Sequence, residues 1–318
     1  MNPLLTSLLF SLSVTGPICL LLMLGFFLRR THMMNEGFID GASKLVFNVT
    51  LPVLLFTSIV SADFSRMASP SLILYGVVAT LVVYVLLEGL ATRLTAEKAL
   101  RGILVQGAFR ANMAIVGLAY VHNAYGSQGV AAMAFYVACL TILFNILAVI
   151  TLGRSLNSGK PVRPGTIMLG IIKNPLIIGI VAALPVALGG WPVPEVLMKA
   201  GQSLAQMTLP LALLCTGASL SLKSGRESTG LLPAIALLRL ILVPGAITLG
   251  AWAAGFDGAE LTMLFLINAS PTAAASYVMV RAMGGNAVLA ANIIAVTTLG
   301  SLLTTSLGVT LLGALSGF

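Results

Sequence analysis

Residues 266–281 read Leu-Ile-Asn-Ala-Ser-Pro-Thr-Ala-Ala-Ala-Ser-Tyr-Val-Met-Val-Arg and lie deep inside an apolar segment. Asn268, Ser270, Pro271 and Thr272 stand where a membrane-spanning helix would otherwise present only hydrocarbon. Pro271 has no N–H, and its ring clashes with the carbonyl four residues back, so the helix kinks or opens there and the freed backbone groups need polar neighbours. Opened backbone at membrane depth persists only against protein or a water-filled cavity. A lone proline of this kind is accounted for by a simple kink in a helix bundle. A second polar-interrupted segment, at the corresponding place in the first half of the chain, points instead to a pair of opened helices.

Composition sets the class. Apolar residues make up 58% of the 318, charged residues 8%, and the mean hydropathy is +1.05, whereas about a quarter of a soluble domain is charged. The chain is therefore expected to be an all-α polytopic membrane protein. Apolar spans fall at 4–28, 38–62, 70–92, 99–122, 128–152, 165–188, 194–220, 230–254, 259–281 and 286–313, each with the roughly 20 residues that cross the hydrocarbon. Cys19, Cys139 and Cys215 all sit within these spans and read as small packing residues, with neither a disulfide framework nor metal-type spacing. The net charge of +8 is spread over short loops, so it does not indicate nucleic acid. The first span is not a signal peptide, because no basic residue precedes it and Arg29-Arg30 follow it.

The loop charges give an orientation. Odd-numbered connections carry Arg29, Arg30, Arg93, Lys98, Arg101, Arg154, Lys160, Arg163, Lys223, Arg226 and Arg281, and even-numbered ones only Arg66 and Lys199. That asymmetry places both termini outside and the longest connection, 153–165, in the cytoplasm. All connections are short and no G-x-x-x-x-G-K-[ST] motif occurs, so the expected energy source is a gradient and no cofactor is called for.

An internal repeat is the most informative feature. At a constant offset of 158, Pro17 falls on Pro175, Thr50-Leu51-Pro52 on Thr208-Leu209-Pro210, Ala111 on Ala269 and Gly126 on Gly284. Five spans are followed by five equivalents, residues 1–155 and 162–318. Because five is odd, the second half enters from the opposite side, an inverted-topology repeat. The stretch around Pro271 then pairs with residues 109–119, Phe-Arg-Ala-Asn-Met-Ala-Ile-Val-Gly-Leu-Ala. Two broken helices at matching places in inverted halves predict a midplane binding site where they cross, and their half-helix N-termini favour an anion.

Arg110 and Arg239 reinforce the positive field, each about nine residues, or roughly 13 Å, into its span. Arg110, two residues before Asn112, is assigned to the site, along with Asn112, Asn268, Ser270, Pro271 and Thr272; Asn48 and Gln206, in the second and seventh spans, complete the substrate-binding candidates. Arg239 has two readings, a charge at the site or a structural cap on the carbonyls of an opened helix. Glu88, near the end of the third span, is either a proton-coupling carboxylate or an Arg-paired residue. His32 and His122 are placed in loops on opposite faces and make neither a metal site nor a proton relay.

These residues carry a resemblance. Arg-x-Asn-x-x-x-x-Gly at Arg110–Gly117, Asn-x-x-x-Pro at Asn48–Pro52, and Pro271 followed by small residues and then Arg281-x-x-Gly284-Gly285 are similar to the auxin efflux carrier family. The likeness covers nearly the whole chain. It implies a fold similar to bile-acid sodium symporters and sodium–proton antiporters, with spans 1, 2, 6 and 7 as scaffold and spans 3–5 and 8–10 as a moving transport domain. It also implies small carboxylate substrates: auxin for plant members, malate, malonate or similar acids for bacterial ones. The short central loop is like that of bacterial members, which implies a bacterial inner membrane. The family's fourth span usually continues Gly-x-Pro, but here Ala119 occupies the proline's place, so the first break must rest on Gly117, with Asn112 and Asn268 satisfying the exposed backbone. The coupling ion, proton or sodium, stays open, as does the oligomeric state, a homodimer included.

Other readings differ in what they need. An intramembrane enzyme requires a nucleophile with a base, or paired carboxylates, at depth, and the spans offer neither. A channel does not need two broken helices in an inverted repeat. A sodium-coupled symporter of the bile-acid type would need clustered oxygen ligands, for which one carboxylate is thin provision. A non-transporting sensor would keep the same fold, and flux separates it from a transporter.

Overall fold

The computed structural model describes residues 3–61, 70–156, 172–173, 175–220, 226–256 and 258–316. Four of the loop cations, Arg66, Lys160, Arg163 and Lys223, lie outside these residues, as do most of the 153–165 connection and the start of the 165–188 span. The described residues are helical without a named strand. They form α1 (Pro3–Arg30), α2 (Glu36–Leu45), α3 (Leu51–Val60), α4 (Pro70–Leu94), α5 (Lys98–Phe109), α6 (Leu118–Leu156), α7 (Pro175–Gly189), α8 (Glu195–Ala218), α9 (Arg226–Leu237), α10 (Val243–Ala253), α11 (Gly258–Asn268), α12 (Ala275–Ala282) and α13 (Ala287–Ser316).

Local chemistry sets several of these boundaries. The Asn35 side chain accepts the Phe38 N–H at 2.8 Å and caps α2, with Glu36 in its first turn and Lys44 near its end, both favourable to the helix dipole. A wide π turn, Val46–Thr50, joins α2 to α3, and another, Leu238–Leu242, joins α9 to α10. Each ends just before a proline. Pro52 and Pro244 cannot donate to the carbonyl four residues back, and the Leu51 and Val243 N–H groups reach back five residues to Val46 and Leu238. The second π turn contains Arg239, which it delivers into the core.

The helices expose apolar side chains as well as burying them. Leu299, Leu303, Leu307 and Leu311 form a stripe along α13 with more than half of each side chain exposed. Leu74, Val78, Val82, Val85 and Leu86, each at least half exposed, do the same on α4. Leucine stripes facing outward on helices this apolar are solvated by lipid. Among the described residues, Glu36–Val60, Pro70–Leu94, Phe135–Leu156, Gly230–Ala253 and Ala287–Leu312 are long and apolar enough to cross a bilayer. The chain is a multi-pass helical membrane protein.

In the interior, α1 packs on α8 and α13, α3 on α7 and α8, α5 on α4 and α6, and α11 on α6 and α10. Tyr84, Phe109 and Phe144 stack edge to face at 5.6 and 5.4 Å, tying the end of α5 to α4 and α6. The chain leaves the helical path immediately after Phe109. His122 is a correction to the sequence reading: it lies within α6 on an exposed face, not in a loop.

Candidate functional site

Two helices are interrupted, and the interruptions meet. After Phe109 the backbone is extended at Arg110 (φ −82°, ψ 90°), passes through Asn112 and turns into the wide helical turn Met113–Gly117 that starts α6. After Asn268 the chain is non-helical until α12 begins at Ala275. Ala111 and Thr272 form an antiparallel β-bridge, in which the Asn112 N–H donates to the Pro271 carbonyl at 2.8 Å and the Ala273 N–H to the Arg110 carbonyl at 3.0 Å. Each broken segment satisfies the other's backbone. The helices come close here: a Cβ on Gly117 would lie 3.1 Å from the Ile267 Cα.

Arg239 holds the same junction from behind. It is fully buried, and its guanidinium donates to the carbonyls of Ala108 and Phe109 at the end of α5 and of Asn268 and Ser270 at and beyond the end of α11. Each helix C-terminus carries about half a negative charge, so one guanidinium matches the two ends that converge on it. This selects the capping reading of Arg239, and the planar fork suits diverging carbonyls better than an ammonium would.

The remaining charge is positive. The two half-helix N-termini contribute about half a unit each, and Arg110, 4% exposed, adds a full one. Its guanidinium donates to the Asn145 Oδ1 at 2.6 Å and to the thioether of Met279; among the described residues it has no carboxylate partner. Glu88 is engaged elsewhere, accepting from the Thr151 hydroxyl at 2.5 Å and facing Arg154 at 3.9 Å, which is the Arg-paired reading. About two positive charges are thus left at the crossing without an anion.

The comparisons with known proteins point to membrane transport. A family model described as a membrane transport protein matches residues 13–309. The chain belongs to the auxin efflux carrier family. A protein described as an uncharacterized transporter from Methanothermobacter thermautotrophicus is 23% identical over 271 residues, covering 80% of this chain and 83% of the relative. The carrier is a transporter by family.

Of the candidate residues, the carrier's fold brings Arg110, Asn112, Asn268, Ser270, Pro271 and Thr272 to one junction. Thr272 donates its hydroxyl to the Gly107 carbonyl at 2.7 Å and its N–H to the Thr297 hydroxyl oxygen at 3.2 Å. The asparagines do less for the backbone than expected. Asn268 returns its amide to Leu264, one turn back on its own helix, and the Asn112 side chain makes no cap bond to the turn that follows. The bridge and Arg239 do that work, which is why the first break forms with Ala119 in place of proline. Asn48 and Gln206 are exposed, and the Asn48 amide donates to Lys44; no described hydrogen bond joins either to the crossing. The sequence reading missed Gln106, Asn145, Ser276 and Met279. Gln106, one turn before Arg110, and Asn145 did carry a signal, each an amide within an apolar span.

Proposed function

We propose that the carrier is a secondary transporter of small organic carboxylates, malonate, malate or similar acids, working by alternating access around the crossing of its two broken helices. The observation that carries this reading is the charge balance at the crossing: both helix C-termini are capped by Arg239, while Arg110 and two N-termini face no acid. A buried excess of positive charge is costly in a membrane interior unless an anion visits it. In this reading the chain has ten spans arranged as a five-plus-five inverted repeat. The antiparallel bridge fits two halves of opposite direction, and Gly126 and Gly284, paired by the offset of 158, both have positive φ, 64° and 78°. The scaffold would comprise α1–α3, α7 and α8, and the transport domain α4–α6 and α9–α13, moving as an elevator in a bacterial inner membrane with both termini outside. Arg281, which pairs with Glu36 at 2.9 Å and Asp40 at 3.8 Å, would then bridge the two units.

The test is uptake of radiolabelled malonate and malate into proteoliposomes, with imposed proton or sodium gradients. Carboxylate-specific, saturable uptake supports the proposal. Binding of these acids without flux assigns the carrier fold to a sensor, and neither binding nor flux with any small carboxylate refutes it.

A further inference from the structure

α12 is eight residues long and is engaged on two sides. It begins just after the broken segment, and its Met279 takes the Arg110 guanidinium at the crossing. Two residues on, about 200° around a helix of 3.6 residues per turn, Arg281 points away from that contact. Its guanidinium donates to the Glu36 carboxylate at 2.9 Å, faces Asp40 at 3.8 Å, and reaches the hydroxyls of Tyr277 at 3.2 Å and Ser219 at 3.5 Å. Tyr277, one turn before Arg281 on the same face, shares a 2.5 Å hydrogen bond with Ser219. Glu36 and Asp40 belong to α2, and Ser219 ends α8. One short helix therefore touches the crossing on one side and two helices assigned to the scaffold on the other.

These contacts have the strength of something that opens. The Glu36 side chain is 68% exposed, Asp40 47% and Arg281 17%. Ion pairs this open to water contribute little each and are screened by salt, so they bias a conformation without trapping it. The bias is also one-sided. At the offset of 158 the counterpart of Arg281 is Asn123, uncharged and exposed, so the matching end of the other broken helix has no charge for a corresponding pair.

Resting on the alternating-access reading above, we infer that Arg281 and Tyr277, with Ser219, Glu36 and Asp40, form a latch that holds the carrier in the arrangement seen here and opens once in each transport cycle. α12 is only about 12 Å long, so it moves as one piece. A shift of the Arg110–Met279 contact when the crossing is filled is delivered to Arg281 on the opposite face. The latch breaks the equivalence of the two halves and sets one resting orientation for the empty carrier.

The chain supplies its own reporter. Cys215 is fully buried one turn before Ser219 and within electrostatic reach of both Tyr277 and Arg281, so α12 covers it while the latch is shut. In the full-length carrier with Cys19→Ala and Cys139→Ala, the rate at which a water-soluble maleimide labels Cys215, with no carboxylate present, measures opening. Arg281→Gln should raise that rate about fivefold and Glu36→Gln about threefold, and Arg281→Lys should raise it less because the charge survives. The double Gln variant should be no faster than Arg281→Gln alone, since both changes remove one contact. Arg29→Gln, which breaks the 2.6 Å pair to Glu36 within the scaffold, should change the rate less than about twofold. Sodium chloride at about 1 M, where the screening length is about 3 Å, should speed the parent and leave Arg281→Gln little changed, which separates an opened latch from a loosened fold. Effects that multiply in the double variant, or rates unmoved by every variant and by salt, overturn the latch and leave alternating access standing. The expected labelling pattern without uptake of any carboxylate keeps the latch and removes the transport reading.

Discussion

Arg239→Met tests whether one buried cation holds the broken helices together. The substitution preserves length and most of the volume, so packing changes little, but four carbonyl contacts disappear at once: those to Ala108, Phe109, Asn268 and Ser270. An orphaned buried acceptor costs about 1 to 3 kcal/mol, so four give at most about 12 kcal/mol before relaxation. Two terms reduce this. Removing the guanidinium also removes its own desolvation penalty, several kcal/mol for a buried ion, and each carbonyl retains partial screening from its neighbours. Loss of one partner from a buried charged arrangement typically costs about 3 to 5 kcal/mol, and that is the expected net effect. At about 2 to 4 °C per kcal/mol, the melting temperature in detergent should fall by roughly 6 to 20 °C. Arg239→Lys keeps the charge opposite the two helix C-termini but has a single nitrogen that cannot reach carbonyls on both sides, so it should recover about half the loss. Melting curves in detergent, with uptake in proteoliposomes alongside, decide the matter. An Arg239→Met carrier that melts within about 1 °C of the parent and transports normally would refute the capping role and with it the charge balance drawn for the crossing.

Arg110→Gln should abolish carboxylate binding without loss of stability, because the Asn145 and Met279 partners are neutral, while Arg110→Lys should retain part of the affinity because charge survives without the fork; isothermal titration with malate measures both. Pro271→Ala supplies a donor and removes the ring clash, so the ninth span can regain helix and pull apart the Asn112-to-Pro271 bond; uptake should be lost with the melting temperature unchanged or raised, and normal uptake would reduce the proline to a kink. Asn112→Ala should weaken binding with less than about 1 kcal/mol of destabilisation, since its side chain makes no cap bond. Gly117→Ala presses a methyl against the Ile267 backbone at 3.1 Å and should cost about 1 to 3 kcal/mol, seen as a lower melting temperature with affinity per folded carrier preserved.

What the sequence by itself determined were the properties that are local or summed. Hydropathy made this a membrane protein because apolar area is additive along the chain. Pro271 marked an interruption because a missing N–H is a covalent fact, independent of neighbours. Asn48 and Gln206 show the limit of that reading: each is polar within an apolar span, but which face a helix turns outward depends on what packs beside it, and both are exposed. Only the tertiary structure decided that the two interruptions bond to each other, that Arg239 caps the ends of α5 and α11 while Arg110 meets neutral partners, and that the asparagines are spared from serving the backbone. The physical reason is range. Arg239 meets Ala108 from 131 residues away and Arg110 meets Met279 from 169, and whether an arginine at this depth caps helix ends or faces neutral side chains depends on what the fold brings opposite it.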